Sequence, residues 1–379
     1  LSCFCFFSAS PMSDQEVSHG NNPLHEAAKS GDVNNLKALI ASGEPLDPRN
    51  KFKRTPLMLA VKEKKLDAVN LLLAAKADVE AQEKDGFTAL FFAAWNNSPD
   101  LLEALLAAGA SPSTMNKYKE TPIVAAFKNN CHDAVKVLAG AVDSNGTNGV
   151  MLAAEHDRSE LLKALVAMKA PLNVQNKKGT TALMMAVDKK IFANVKILID
   201  AGVDLDLQDD DGATALIQAV DKKSMDLMRL LIGANADLNI REKRGLSALI
   251  IATAYANRKA VTVLADAGAD LEIKDNDGDT ALMWAANEGF EDVAKVLLEA
   301  KASLVAVNND GKTAMSLAIS RDHKKVMEIF SASPSVGFPL GLAAQTGDKA
   351  LLKKLLDSKV SVNAKNADGE TALMLAVAS

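Results

Sequence analysis

The side chains best suited to metal binding or nucleophilic catalysis are five histidines and three cysteines, and their placement supports neither chemistry. His19, His25, His132, His156 and His323 are scattered with no pair at ligand spacing, and no Cys-x-x-Cys occurs. Cys3 and Cys5 have no companion pair. Cys131 adjoins His132, but neighbours on a helix point in different directions, so the two are not placed as nucleophile and base. Gly311-Lys312-Thr313 has the ending of a phosphate-binding loop, yet the required glycine five positions earlier is Ala306. Asp209-Asp210-Asp211 and Asp275-Asn276-Asp277 look like pieces of a calcium loop, but the bidentate Glu that closes such a loop is missing after both. Asn96-Asn97-Ser98 and Asn145-Gly146-Thr147 are glycosylation acceptors, which matter only in a secreted chain. These residues predict no enzyme, no cofactor and no metal.

Composition narrows the remaining classes. The chain has 379 residues, 48% hydrophobic and 24% charged, so it can bury a large apolar surface. Only 4% is aromatic, which leaves the packing to small aliphatic residues. A net charge of −5 opposes general binding to nucleic-acid phosphates. No apolar run reaches membrane-spanning length. Isolated cysteines indicate a reducing compartment, hence a cytoplasmic location.

The chain repeats itself. A register begins at Asn22 and recurs at Thr55, Thr88, Thr121, Asn148, Thr181, Thr214, Ser247, Thr280, Thr313, Phe338 and Thr371. Nine of the eleven intervals are equal, with a period of about 33 residues. Two positions on stands an apolar residue, and five positions on an alanine, from Ala27 and Ala60 through Ala219 to Ala376. Seventeen positions on stands leucine, as in Leu72 and Leu297, with Phe330 as an exception. The first column holds helix-capping side chains. Pro23, Pro56 and Pro122 follow it, where a missing N–H costs nothing. The alanine lets helices approach closely. The leucines belong to a second helix, with Asp67, Asp100, Asp133, Asp226 and Asp292 in its first turn, where a negative charge suits the helix dipole. That helix ends near Gly43, Gly109, Gly202, Asn235 and Gly268, residues that accept a left-handed backbone. Lys76, Lys169, Lys301 and Lys359 take the same column less comfortably. Asp-Gly pairs such as Asp85-Gly86 and Asp277-Gly278 then mark a tight turn.

Two helices and a turn in each period, with Asn22-Pro23-Leu24-His25-Glu26-Ala27 and Thr55-Pro56-Leu57-Met58-Leu59-Ala60 at the helix starts, resemble the ankyrin repeat and its T-P-L-H-x-A motif. The resemblance covers about residues 21–379 and implies an all-α solenoid of stacked helix pairs with projecting β-turn fingers. About eleven pairs and one unpaired final helix are expected, in a curved array with little regular strand. Only His25 keeps the motif histidine. Met58, Phe91, Met151, Met184 and Met283 stand in that column elsewhere.

Two intervals fall short of the common period, the one from Thr121 to Asn148 and the one from Thr313 to Phe338. The missing residues fall after the second helix, which predicts stunted or reshaped fingers. They divide the array into 21–147 (repeats one to four), 148–337 (five to ten) and 338–379 (eleven and twelve). The last repeat reads as truncated at Ser379, with the Leu373-Met374-Leu375 face left exposed. Residues 1–20 read as a disordered leader. Two origins stay open for it: in-frame read-through upstream of Met12, or the remnant of a secretion signal.

The resemblance implies function through binding: a non-enzymatic protein-interaction scaffold or adaptor. The alternatives are a regulatory array of a larger enzyme or channel continuing past Ser379, and a secreted effector. In the family, the fingers and the open side of the first helix form the concave binding face. Carried onto this register, that face offers Lys51, Phe52, Arg54, Lys62, Phe87, Trp95, Asn96, Lys117, Tyr118 and Lys128. Aromatics supply contact area and cations steer an acidic segment, so the expected partner is another protein with such a segment. Nucleic acid, membrane and an obligate homo-oligomer are not expected. The competing reading is that Phe52 and Phe87 pack between fingers and the charges are merely solvated.

Overall fold

The chain folds, in a computed structural model that describes residues 20–332, 339–347, 349–357, 362–363 and 370–378, into helix pairs linked by turns. The expectation for the leader therefore lies outside the described residues, as do Lys359 and Phe338. Among the described residues, twenty-three helices run from Pro23 to Ala378, eleven pairs and a last single helix. The described residues contain no strand, only isolated bridges such as Arg241 with Ser247. None of the described helices is long and apolar enough to cross a membrane.

The chain forms two compact units, one of Leu1–Ala153 with Glu160–Pro171 and the other of Ala154–Ser159 with Leu172–Ser379. In the first unit, α1 (Pro23–Ser30), α2 (Val33–Ala41), α3 (Pro56–Lys62), α4 (Leu66–Ala74), α5 (Ala89–Trp95), α6 (Pro99–Ala107), α7 (Pro122–Lys128) and α8 (His132–Gly140) alternate as first and second helices. The boundary between the units runs through α9 (Gly149–Glu155) and α10 (Ser159–Ala167). In the second unit the alternation continues from α11 (Ala182–Asp188), α12 (Phe192–Asp200) and α13 (Ala215–Asp221).

Most first helices start as the register predicts; Thr88 and Thr121 stand at the cap position but make no side-chain cap bond. The side chains of Asn22, Thr55, Thr181, Thr214, Ser247, Thr280 and Thr313 each accept the backbone N–H three residues on. Asn148 does the same for Met151 at 2.9 Å. Where methionine replaces the motif histidine, its sulfur returns the favour: Thr181 N–H donates to Met184 Sδ at 3.4 Å, and Thr280 N–H to Met283 Sδ at 3.5 Å. His25 makes the longer reach. Its Nδ1 lies 3.2 Å from the Asn22 backbone N, and its Nε2 lies 2.9 Å from the Arg54 carbonyl in the next repeat. Burial lowers its pKa below the ordinary histidine value, opposed by the Arg54 carbonyl.

The alanine column is the seam between first helices. Ala60, Ala93, Ala126, Ala186, Ala219, Ala252, Ala285 and Ala318 are fully buried, and the leucine column from Leu72 to Leu297 is buried with them. Ala376, in the final helix, is exposed, and Leu373 beside it is 75% exposed. Second helices end in left-handed residues at Gly43, Gly109, Gly202 and Gly268, and equally at Asn235, Lys76, Lys169 and Lys301. Each of those lysines therefore holds a backbone that costs a non-glycine residue about 1 kcal/mol or more.

Each finger is one turn closed by its own residues. The first turn residue is Asn50, Glu83, Asn116, Asp143, Asn176, Asp209, Glu242, Asp275 or Asn308. Its backbone N–H donates to the carbonyl four residues on, as from Asn50 to Arg54 at 3.1 Å. Its side-chain oxygen accepts from the third and, in most, the fifth turn residues, as Asn116 does from Tyr118 and Glu120. The fourth residue is left-handed, usually glycine but Lys53 and Lys119 in two fingers.

The fold departs from one expectation. After α8 the chain is extended at Ala141, enters the turn at once, and makes the full set of turn bonds: Asp143 N to Thr147 O at 3.0 Å, with Asp143 Oδ1 accepting from Asn145 and Thr147. The interval from Thr121 has lost the connection before the finger and kept the finger; the finger expected before Phe338 lies outside the described residues. The turn survives because its backbone closure and the bonds of the Asp143 carboxylate to Asn145 and Thr147 lie within the turn itself.

Candidate functional site

The residues expected on the binding face all lie in the first unit, on the second, third and fourth fingers and the ends of the helices beneath them. Adjacent fingers are joined by backbone hydrogen bonds. Lys84 N–H donates to Phe52 O, and Lys117 N–H to Asp85 O, both at 3.0 Å. The tips are thereby held in register.

Phe87 leaves the third finger and meets Trp95, the last residue of α5, with ring centres 4.5 Å apart. It also meets Tyr118 on the fourth finger at 6.2 Å and the buried Phe91 edge-on at 5.3 Å. Phe92 lies 5.8 Å from Trp95 and 6.5 Å from Phe87. The result is a continuous aromatic cluster whose floor is core and whose rim is open: Phe91 and Phe92 are buried, Phe87 and Trp95 half-buried, and Tyr118 55% exposed. Edge and tilted ring pairs at these distances are favourable beyond their buried area.

Arg54 departs from its expected place among the surface cations. It is only 6% exposed, with its guanidinium 5.1 Å from the Phe52 ring centre and 5.6 Å from that of Phe92. Its planar, weakly hydrated charge suits stacking between rings. Phe52 is thereby joined to the cluster through a cation, and is itself half-buried. Asn96 is also engaged internally: its Nδ2 donates to Val61 O at 2.9 Å and Lys62 O at 3.1 Å, capping the end of α3. Lys62 is half-buried.

The remaining cations are outside. Lys51, Lys117 and Lys128 are exposed, as are Lys53, Lys84 and Lys119. Lys117 pairs with Asp85 and lies 5.2 Å from the Tyr118 ring centre; the Asp85 carboxylate holds its ammonium above the ordinary lysine pKa. Lys128 pairs with Glu120. Phe87 thus meets Tyr118 of the next finger, while Phe52 meets Arg54 of its own. Sequence reasoning missed Phe92, whose position directly after the motif column could have marked it, and the left-handed Lys53 and Lys119 at the tips.

The other candidates have structural places. Cys131 caps α8, is buried, and lies 3.5 Å from the Trp95 carbonyl; burial raises its thiol above the ordinary cysteine value. His132 Nδ1 lies 2.6 Å from the Asn130 carbonyl. Thr313 caps its helix and Lys312 pairs with Asp310. Asp275 Oδ1 accepts from its own turn, and its Oδ2 from Trp284 Nε1 at 2.7 Å. Among the described residues no cluster of three His, Cys, Asp or Glu side chains could hold a metal ion.

Comparison with known proteins adds the following. A family model of ankyrin repeats (three copies) matches eight overlapping stretches: residues 6–83, 24–116, 57–148, 90–176, 123–209, 150–242, 190–275 and 249–337. Among solved structures, the chain is similar to the ankyrin repeat domain of Bcl-3, described as a unique member of the IkappaB protein family. That similarity has 27% identity, covers 74% of this chain and 99% of that one, and has a TM-score of 0.32. Comparison with curated proteins found no match.

Proposed function

The chain belongs to the ankyrin-repeat family, and from that premise we propose that it is an interaction scaffold whose first unit binds an acidic protein segment on the Phe87–Trp95–Tyr118 surface. Ankyrin repeats are in general non-catalytic modules that bind other proteins, and the identity of the bound surface is what the proposal adds. The observation that carries it is the aromatic cluster itself. A packing cluster would close over its rings, yet this one keeps Tyr118 more than half exposed and Trp95 open, beside exposed Lys51, Lys84 and Lys117. Binding hot spots combine half-open aromatics in ordered surroundings with a polar rim. The stack of Phe52, Arg54 and Phe92 supplies the order, so little entropy is lost when a partner arrives.

Proteins captured by the wild-type chain and lost by both Trp95→Ala and Lys51→Glu identify the partner, and calorimetry then measures each variant. Trp95→Ala is expected to cost at least about 2 kcal/mol of affinity. Lys51→Glu should mainly slow association and flatten its salt dependence. A partner bound equally well by both variants would place the binding surface elsewhere.

A further inference from the structure

We propose that the bound segment adopts a polyproline II conformation and carries an acidic side chain at every third residue; this rests on the surface reading above. Three observations carry it.

The first is the spacing of the cations. Lys51, Lys84 and Lys117 occupy the same position, the second turn residue, on three successive fingers. The backbone bonds from Lys84 to Phe52 and from Lys117 to Asp85 hold those fingers in register. Their pitch follows the stacking of the helices beneath, about 8–10 Å between packed helices. In a β-strand, side chains on one face recur every second residue, about 6.6 Å apart, which is too short. An α-helix reaches the pitch only across about seven residues, roughly 10.5 Å, and is a cylinder about 10 Å across. Polyproline II has three residues per turn and rises about 3.1 Å per residue, so one edge presents every third side chain about 9.3 Å apart. That repeat falls within the pitch of about 8–10 Å expected from helix stacking.

The second observation is the rim of rings. The Phe87 ring centre lies 4.5 Å from that of Trp95 and 6.2 Å from that of Tyr118, on the same surface as the lysines. Polyproline II segments dock against aromatic-lined surfaces, where the flat proline rings stack and the preformed helix loses little entropy. The third is charge. Lys53 and Lys119 flank the column from the fourth turn positions. Among the tip carboxylates, Glu83 is buried against the Asp85 backbone N–H and Glu120 is drawn to Lys128. Asp85 is paired with Lys117, and the exposed Lys51, Lys53, Lys84 and Lys119 leave the surface in cation excess for a second set of carboxylates.

The test uses the full chain and two fluorescein-labelled peptides of identical composition, Glu-Pro-Pro-Glu-Pro-Pro-Glu and Glu-Glu-Glu-Pro-Pro-Pro-Pro, read by fluorescence anisotropy. The spaced peptide is expected to bind at least about tenfold tighter than its isomer, a step of one decade in Kd. Lys84→Glu is expected to abolish that difference while leaving the far-ultraviolet helical signal unchanged. Equal binding of both peptides, lost together in Trp95→Ala, would overturn the three-residue repeat and leave the surface reading standing. Binding by neither peptide would also overturn it, and the capture experiment would still decide the surface reading on its own. Binding of both peptides unaffected by Trp95→Ala would overturn the two together.

Discussion

Arg54 and Phe52, two residues apart on one finger, face each other across 5.1 Å, and the buried guanidinium also lies 5.6 Å from the Phe92 ring centre. A charge in this position works on the fold before it works on a partner. Arg54→Glu is therefore expected to lower thermal stability by burying a carboxylate against two ring faces. Arg54→Lys should lose the planar stack and destabilise less. Differential scanning calorimetry of both variants checks this order. A melting temperature unchanged in Arg54→Glu would mean that the stack contributes nothing.

His25 ties stability to pH. Its folded-state pKa lies below the unfolded value of 6.5, because burial disfavours the imidazolium. The unfolded chain then binds the extra proton, so stability is full above about pH 6.5 and is lost as pH falls below it. Denaturant midpoints between about pH 7.5 and pH 5.5 should drop in the wild-type chain, and drop less steeply in His25→Gln. Parallel slopes would remove His25 as the cause.

The alanine seam predicts a cost for added volume. Ala219 in α13 is fully buried between first helices. Ala219→Leu should destabilise by about 1–3 kcal/mol through overpacking. Equilibrium urea unfolding measures it, and a midpoint equal to that of the parent would show room at the seam.

Asn194 is fully buried in a column that elsewhere holds Ala68, Leu101, Ala134, Leu227 and Ala260, with the exposed Asn35 in the first repeat. Its Nδ2 donates to Ala154 O at 3.0 Å, and its Oδ1 accepts from Ser159 Oγ at 2.7 Å. Asn194→Leu should therefore destabilise by about 1–3 kcal/mol despite suiting the column, because it strands buried polar partners. Amide exchange at the α9–α10 connection should accelerate with it, and unchanged protection there would separate Asn194 from that connection.

Lys76 ends α4 with φ 72° where Gly43 and Gly109 end their helices with φ 84° and 93°. Lys76→Gly should relieve about 1–2 kcal/mol of left-handed strain and lose part of it, about 0.5–1 kcal/mol, to chain entropy, for a net gain. The thermal midpoint reads the sign directly.

The helices were legible because each column of the repeat has a local cause. Thr181 caps, Ala186 packs and Leu198 fills whatever the neighbours are doing, so periodicity alone located them. The nine turn-closing residues from Asn50 to Asn308 stand five positions before each cap and were equally visible as a column of Asn, Asp and Glu; what hid them was their look of ordinary solvated loop. Arg54 was less accessible. Nothing in its spacing says that Phe92, on the first helix of the following repeat, closes over it, because that contact depends on how one finger lies against the next repeat. The place of Asn194 in a core column was legible, but its partners across the α9–α10 connection were not.

The self-closed turn at Asp143–Thr147 makes the stretch just before it a natural insertion point. Ala141 is extended and Val142 is exposed there, and the bonds that close the turn lie between Asp143 and Thr147. A spectroscopic reporter or an added loop grafted between these two residues would leave the neighbouring finger intact, giving an engineering handle on the first unit away from its aromatic surface.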